Sequence, residues 1–178
     1  MLTYMSIRDE IKSRISEGRL FLLEPALTID PCVRWIFVTP EVYDFVLGPW
    51  DSVQDEVRAG KLRADLDKFV TGMPISISAE PYRKPNTTYM SPIDPVADRV
   101  FEIRNRDKPG IRIFGSFAEK DVFVATTWNY RPWLGGPRDR HFRDMRERSK
   151  TIWNQLFNSY QPISGEDRND IATNLIFV

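Results

Sequence analysis

The sequence is poor in several residue types and patterns that commonly carry function. It contains one cysteine and one histidine, which excludes an internal disulfide and a cluster of soft ligands for a structural metal. No apolar run reaches the roughly 20 residues needed to cross a bilayer, so we expect no membrane role. Basic and acidic residues balance at 25 each, which argues against a protein that coats nucleic acid. The lone Cys32, with no signal-peptide pattern, leads us to expect a reducing cytoplasm.

The charges that are present are distributed unevenly. Residues 1–98 carry 11 basic and 15 acidic side chains, residues 99–150 carry 13 and 7, and residues 151–178 carry 1 and 3. The basic block also holds three β-rich runs, at 99–104, 111–118 and 121–128, which predict an antiparallel meander with tight turns. The basic excess therefore lies in the block of sequence that holds the predicted meander.

Hydrophobic periodicity and capping residues predict the other elements. The predicted helices are one capped by Ser6 and stopped by Gly18, one started by Thr39-Pro40, one capped by Asp51, one from Lys61 to Val70, and one from Asp139 to Tyr160. CVRWIFV at 32–38 predicts a buried strand. The five prolines of residues 73–98 predict a long ordered loop. The terminal NLIFV predicts a strand that pairs with a free sheet edge.

These elements predict an α+β fold. We expect a two-layer domain in which a mostly antiparallel sheet, made of the N-terminal strand and the three-stranded meander, packs against helices. Residues 1–31 form an N-terminal helical extension in this interpretation, and residues 32–160 form the domain, with 73–98 as a proline-rich loop insertion. Residues 161–178 are a tail that ends in the short strand.

Four segments in this order resemble the RelE/ParE superfamily of bacterial toxins and its phage-derived relatives. They are IFVTPEVYDFV, KLRADLDKFVTG, VFEIRNRDKPGIRIFGSF and DVFVATTWNYR, and the likeness covers roughly residues 33 to 157. The chain departs from the family in its neutral charge, its N-terminal extension and its proline-rich loop. PWLGGPRDRHF stands where the family has a short basic segment with a catalytic tyrosine or histidine, so that residue has no secure place here.

The resemblance implies a cytoplasmic toxin that cleaves mRNA at the ribosome without metal or cofactor, held in check by an antitoxin. Cleavage by the 2′-hydroxyl requires a base, an acid and a cation at the phosphorane. The residues assigned to catalysis are Arg112 and Arg131, as phosphate contacts, with His141 or Tyr130 for proton transfer. Glu102 is a further candidate base. The residues assigned to substrate binding are Arg104, Arg106, Lys108 and Arg138.

Each assignment has a structural alternative. Arg104 and Arg112 could pair across strands with Glu102 on the outer face of a half-solvated sheet. His141 could be a solvated residue in a helix's first turn, within a face held by pairs such as Asp144 with Arg148.

Two further functional alternatives stay open. One is a non-catalytic binding module on the same fold, either a partner-inhibiting toxin of the ParE type or a phage or mobile-element accessory protein. The other is a different α+β fold. The sequence leaves the oligomeric state open. Arginines that converge on an open face with a proton donor in reach would favour catalysis, whereas arginines paired with carboxylates would not.

Overall fold

A mixed β-sheet of eight strands spans the residues described by the computed structural model, which are 6–136, 138–158, 160–164 and 168–178. The helices are α1 (Ile7–Ser16), α2 (Pro40–Leu47), α3 (Val53–Val70), α4 (Arg131–Leu134) and α5 (Arg140–Leu156), with two 3₁₀ turns at Val96–Asp98 and Arg168–Asp170. The strands are β1 (Phe21–Leu22), β2 (Trp35–Val38), β3 (Ile75–Ile77), β4 (Met90–Pro92), β5 (Phe101–Asn105), β6 (Ile111–Glu119), β7 (Val122–Tyr130) and β8 (Leu175–Phe177).

The spatial order of the strands is β1-β2-β7-β6-β5-β4-β3-β8. The predicted meander is present as antiparallel β5, β6 and β7. However, β2 pairs with β7 in parallel, and β3 pairs in parallel with both β4 and β8. The prediction of a mostly antiparallel sheet of four strands is therefore corrected to a larger mixed sheet. The four strands predicted from the sequence correspond to β2, β5, β6 and β7, and they do lie in one sheet.

Helices cover both faces of the sheet, so the domain has three layers and the two-layer prediction is wrong. Phe123 and Ala125 of β7 pack with α2 and α3. Their neighbours Val122 and Val124, which point the other way as alternate strand residues must, pack with α1 and α5. The second face needs this cover because it is also apolar. The outer face that was expected to be half solvated is instead buried.

The helix starts agree only in part with the sequence prediction. Ser6 forms the expected capping box with Asp9 at the start of α1. The Thr39 hydroxyl leaves α2 uncapped and donates to the carbonyl oxygen of Thr126 instead, at 2.9 Å. Ser52, rather than Asp51, caps α3, which is one continuous helix where two pieces were predicted.

The segments predicted as extension, loop and tail each contribute to the same sheet. Residues 1–31, of which the first five lie outside the described residues, supply β1. Residues 73–98 supply β3 and β4, so much of the predicted loop is paired backbone. The tail supplies β8, which pairs with β3 at the sheet edge, as predicted.

Arg34 lies fully buried between the end of α3 and the segment that leads into β8. Its guanidinium donates to four backbone carbonyl oxygens, those of Phe69 at 2.7 Å, Met73 at 2.6 Å, Thr173 at 2.9 Å and Lys68 at 3.1 Å. It also lies 4.7 Å from the centre of the Phe69 ring. Because carbonyls near a helix C-terminus carry partial negative charge, this cation both caps α3 and ties the C-terminal segment to it.

We predict that Arg34→Lys lowers the free energy of unfolding by about 3 kcal/mol, because an ammonium cannot reach all four carbonyls and leaves buried acceptors unpaired. Urea unfolding of the variant and the wild type measures this difference. Arg19→Lys is the matched control, since Arg19 also donates to a carbonyl, that of Gln155 at 2.7 Å, but is more exposed. A decrease in Arg34→Lys no larger than in the control would contradict this account.

Candidate functional site

Glu102 of β5 is the centre of a charged cluster on the sheet face that α5 covers. Its Oε1 accepts from Lys84 Nζ at 2.6 Å and from Ser91 Oγ at 2.9 Å. Arg112 Nε lies 3.1 Å from Oε2, and Arg104 Nε lies 3.7 Å from Oε1. The strand register explains the meeting, because Ser91 is the partner of Glu102 and Arg104 is the partner of Arg112. Three cations thus share one carboxylate.

The cluster is almost entirely removed from water. The exposed fraction of the side chains is 3% for Glu102, 7% for Arg112, 11% for Arg104 and 12% for Lys84. Burial alone would raise the pKa of Glu102, but Lys84 and Arg112 outweigh it, so the pKa lies below its usual value. Burial lowers the pKa of Arg112 to about 10 in spite of Glu102. Burial of these cations therefore costs more free energy than their attraction to one carboxylate recovers.

The proline-rich loop is held against the same cluster. Besides Lys84, the loop presents the carbonyl oxygens of Pro85 and Thr88, each 3.3 Å from an Arg104 guanidinium nitrogen. The Nε atoms of Arg104 and Arg112 and the Oε2 of Glu102 are buried without a well-aligned hydrogen bond among the described residues. Buried charged groups usually complete their hydrogen bonds, so these atoms mark the cluster as unusual.

Arg131 adds a fourth cation on this side. It is the first residue of α4, directly after the end of β7, and its backbone nitrogen donates to the carbonyl oxygen of Gly110 at 2.8 Å. Gly110 has φ +79° and lies against the Arg131 side chain, where a Cβ would approach at 3.2 Å. The guanidinium lies 5.5 Å from the centre of the Phe142 ring and has no carboxylate partner among the described residues. Arg131 acts electrostatically on both Arg104 and Arg112.

Tyr130 lies on the opposite face of the sheet from these arginines. Its ring packs with Phe45 and Trp128, against the core that α2 and α3 cover. Its hydroxyl donates to Asp55 at 3.2 Å. The alternation of β7 separates it from Arg112, since Tyr130 pairs with Ile111 and Asn129 pairs with Arg112. The structure does not bring Tyr130 together with the predicted phosphate contacts.

His141 lies in the first turn of α5, exposed to solvent, and stacks on Trp133 with ring centres 4.3 Å apart. No hydrogen bond joins it to the arginine cluster within the described part of the chain. Arg106, Lys108 and Arg138 are also exposed. The guanidinium of Arg138 lies 4.8 Å from the Tyr82 ring, and Lys108 lines a groove with α3 on the other face.

Sequence reasoning missed Lys84 and Ser91. Both lie in the segment predicted as loop, and only the pairing of β4 with β5 places Ser91 opposite Glu102. The expected pair of Asp144 with Arg148 is also corrected. Asp144 pairs with Arg140 at 3.5 Å, because Arg148 reaches Glu41 of α2 instead.

The described residues contain no group of three histidine, cysteine, aspartate or glutamate side chains arranged to hold a metal ion. Among the same residues, no helix combines the length and the apolar character required to cross a membrane.

We predict that Glu102→Gln lowers the free energy of unfolding at neutral pH by about 3 to 5 kcal/mol, because it leaves three buried cations without a counter-charge. The lowered pKa of Glu102 gives this contribution a pH dependence. It is present above the pKa of the unfolded chain, near 4.5, and disappears as the pH falls through the lower pKa of the folded state. Urea unfolding at several pH values should therefore show the two proteins converging as the pH falls.

Glu147→Gln is the matched control. Glu147 also pairs with two cations, Arg146 and Lys150, but its side chain is 54% exposed, so we expect a change below about 1 kcal/mol. Equal destabilisation of the two variants, or a difference from the wild type that persists at low pH for Glu102→Gln, would contradict a structural role for the buried carboxylate.

A scan against protein-family models and searches of curated proteins and of solved structures found no match to this chain. The resemblance to RelE/ParE toxins, with the antitoxin, the ribosome and the cytoplasm that it implies, therefore stays a prediction. The geometry of the charged cluster around Glu102 is what bears on function.

Proposed function

We propose that the protein is a non-catalytic binding module that holds the phosphates of single-stranded RNA at the basic cluster around Arg104 and Arg131. The observation that carries this proposal is the charge imbalance. Four cations, Lys84, Arg104, Arg112 and Arg131, lie in one cluster whose single carboxylate, among the described residues, is Glu102. Arginine suits phosphate because its planar fork stays charged and contacts two oxygens.

The exposure of the four cations indicates where a phosphate would bind. Arg131 is half-buried, whereas the Arg104 side chain is 11% exposed and the Arg112 side chain is 7% exposed. A phosphate that binds Arg131 and the small exposed part of Arg104 would offset charge that Glu102 leaves uncompensated. Because Lys84 and Glu102 hold the loop and the strands in place, the site would be rigid before the ligand arrives.

Exposed groups next to the cluster suit a strand of RNA better than a single free anion. Arg106 and Arg138 extend the positive surface. Trp133 is 51% exposed and stacks on His141, and an exposed aromatic pair beside arginines is a platform on which a base can stack. In this proposal the arginines bind the backbone and Trp133 contacts a base without sequence preference.

The arrangement favours binding over cleavage. Tyr130 is on the far face, and His141 is not joined to the arginines by a hydrogen bond among the described residues. Glu102 is a weak base because the surrounding cations lower its pKa. The convergence of Arg104, Arg112 and Arg131 is the observation that still favours the endoribonuclease, so both activities belong in one experiment.

We predict that the full chain binds a fluorescein-labelled, single-stranded RNA oligonucleotide in fluorescence anisotropy. Arg104→Gln combined with Arg131→Gln should weaken binding by at least about tenfold, since each charged contact contributes on the order of 1 kcal/mol. The slope of log affinity against log salt should also become shallower by about 0.7 for each phosphate that the variant no longer binds. Gel analysis of mRNA incubated with translating ribosomes and the protein should show intact RNA.

Arg8→Gln is the matched control, because Arg8 is an exposed arginine on α1 with one carboxylate partner, Glu119. It should leave both affinity and salt dependence unchanged. Absence of RNA binding, or equal weakening in the control and the double variant, would contradict the proposal. Cleavage of translated mRNA that disappears in Arg112→Ala combined with Arg131→Ala would replace it with the endoribonuclease.

A further inference from the structure

A groove of about 550 Å³, largely open to solvent, lies beside α2 and the end of β7, on the opposite face of the sheet from the basic cluster. Four aromatic residues line it, namely Phe45, Trp50, Trp128 and Tyr130. The site is therefore a surface groove that could contact one side of a small ligand or of a protruding side chain, rather than a closed pocket. The groove plays no part in the RNA-binding proposal.

The rings of this site, called here the aromatic groove, are fixed in place. Phe45 and Trp128 stack with centres 3.6 Å apart, and Tyr130 meets Trp128 edge-on at 5.2 Å. The Trp50 indole nitrogen donates to the carbonyl oxygen of Phe45 at 2.7 Å. The Trp50 ring also lies over Gly48, where a Cβ would approach it within 2.9 Å. The four rings are half-buried, so each still presents surface to the groove.

The charged groups of the aromatic groove are all acidic. The carboxylates that line it are Glu41, Asp44, Asp51 and Asp55. Glu41 is paired with Arg148, and Asp55 is paired with Arg58. Within the residues that the structure describes, the side chains of Asp44 and Asp51 have neither a hydrogen-bond donor nor a cation as partner. Two negative charges at the groove are thus uncompensated.

One cationic side chain of the protein, Arg58, already contacts the margin of this surface. The guanidinium of Arg58 lies 5.4 Å from the centre of the Tyr130 ring while it pairs with Asp55 at 3.3 Å. Aromatic faces attract cations through the ring quadrupole, most strongly when carboxylates add their charge and the site is partly shielded from water. Trp50, Asp51, Phe45 and Asp44 line the same groove, and no cation pairs with Asp44 or Asp51 among the described residues.

We propose that the aromatic groove binds an organic cation, with an alkylammonium or guanidinium group against the rings of Trp50 and Trp128 and its charge facing Asp44 and Asp51. Such a group is supplied either by a free quaternary ammonium compound or by a basic side chain of another protein. Both share the recognition chemistry. A small inorganic cation would not bind in the same way, because it keeps its water shell and gains little from the rings.

Isothermal titration calorimetry of the full chain tests this inference with two probes, tetramethylammonium chloride and N-acetylarginine amide, against sodium chloride at equal ionic strength. We expect saturable binding of one or both probes with a dissociation constant of about 1 mM or below, as several weak contacts would give. Tighter binding of tetramethylammonium points to a free ligand, and tighter binding of the arginine amide points to a protein segment.

Asp44→Asn combined with Asp51→Asn should weaken binding at least tenfold, and these exposed positions keep the variant folded. Trp50→Ala should have a similar effect. Trp35→Ala and Asp30→Asn, which remove a partly exposed ring and a carboxylate elsewhere, are the controls. The inference is overturned by heats indistinguishable from those of sodium chloride, or by an affinity that the double variant leaves unchanged.

Discussion

The buried contact between Glu102 and its cations connects four parts of the chain. Through Oε1 it fixes Lys84 of the proline-rich loop and Ser91 of β4, and on its other side it faces Arg112 of β6. A buried carboxylate without cations would be protonated, and buried cations without a carboxylate would be too costly to keep away from water. Because neither can be buried alone, the loop, β4, β5 and β6 must assemble together.

That constraint also supports the proposal that the cluster binds phosphate. One carboxylate is enough to hold the cations in place, but not enough to neutralise them. The positive charge that Glu102 does not neutralise includes that of Arg104 and Arg131, the two less buried arginines of the cluster. The sheet then separates this basic side from the acidic aromatic groove by a single layer of strands, since alternate residues of β7 face opposite ways. The basic cluster and the acidic groove thus lie on opposite faces of one sheet in a chain with no net charge.

Sequence patterns predicted what depends on local alternation and periodicity. The meander, α1, α5 and the edge strand at Leu175–Phe177 follow from such patterns. The strands β3 and β4 escaped prediction because each has three residues and stands among prolines, where pairing is decided by distant partners. The structural role of Arg34 was not predicted because its partners are backbone carbonyls. Every residue has such a carbonyl, so the sequence does not show which ones Arg34 contacts. Lys84 was missed for another reason, because it reaches the Glu102 side chain only after the loop has folded over the sheet.

The central claim is that Arg104 and Arg131 bind phosphate while Arg112 and Glu102 support them. Residue-assigned ¹H–¹⁵N NMR of the arginine Nε–H groups, recorded with and without single-stranded RNA, tests it most directly. The account predicts that the signals of Arg104 and Arg131 shift on RNA addition, whereas those of Arg58 and Arg146, which pair with carboxylates elsewhere, stay in place. Unchanged Arg104 and Arg131 signals at saturating RNA would contradict it.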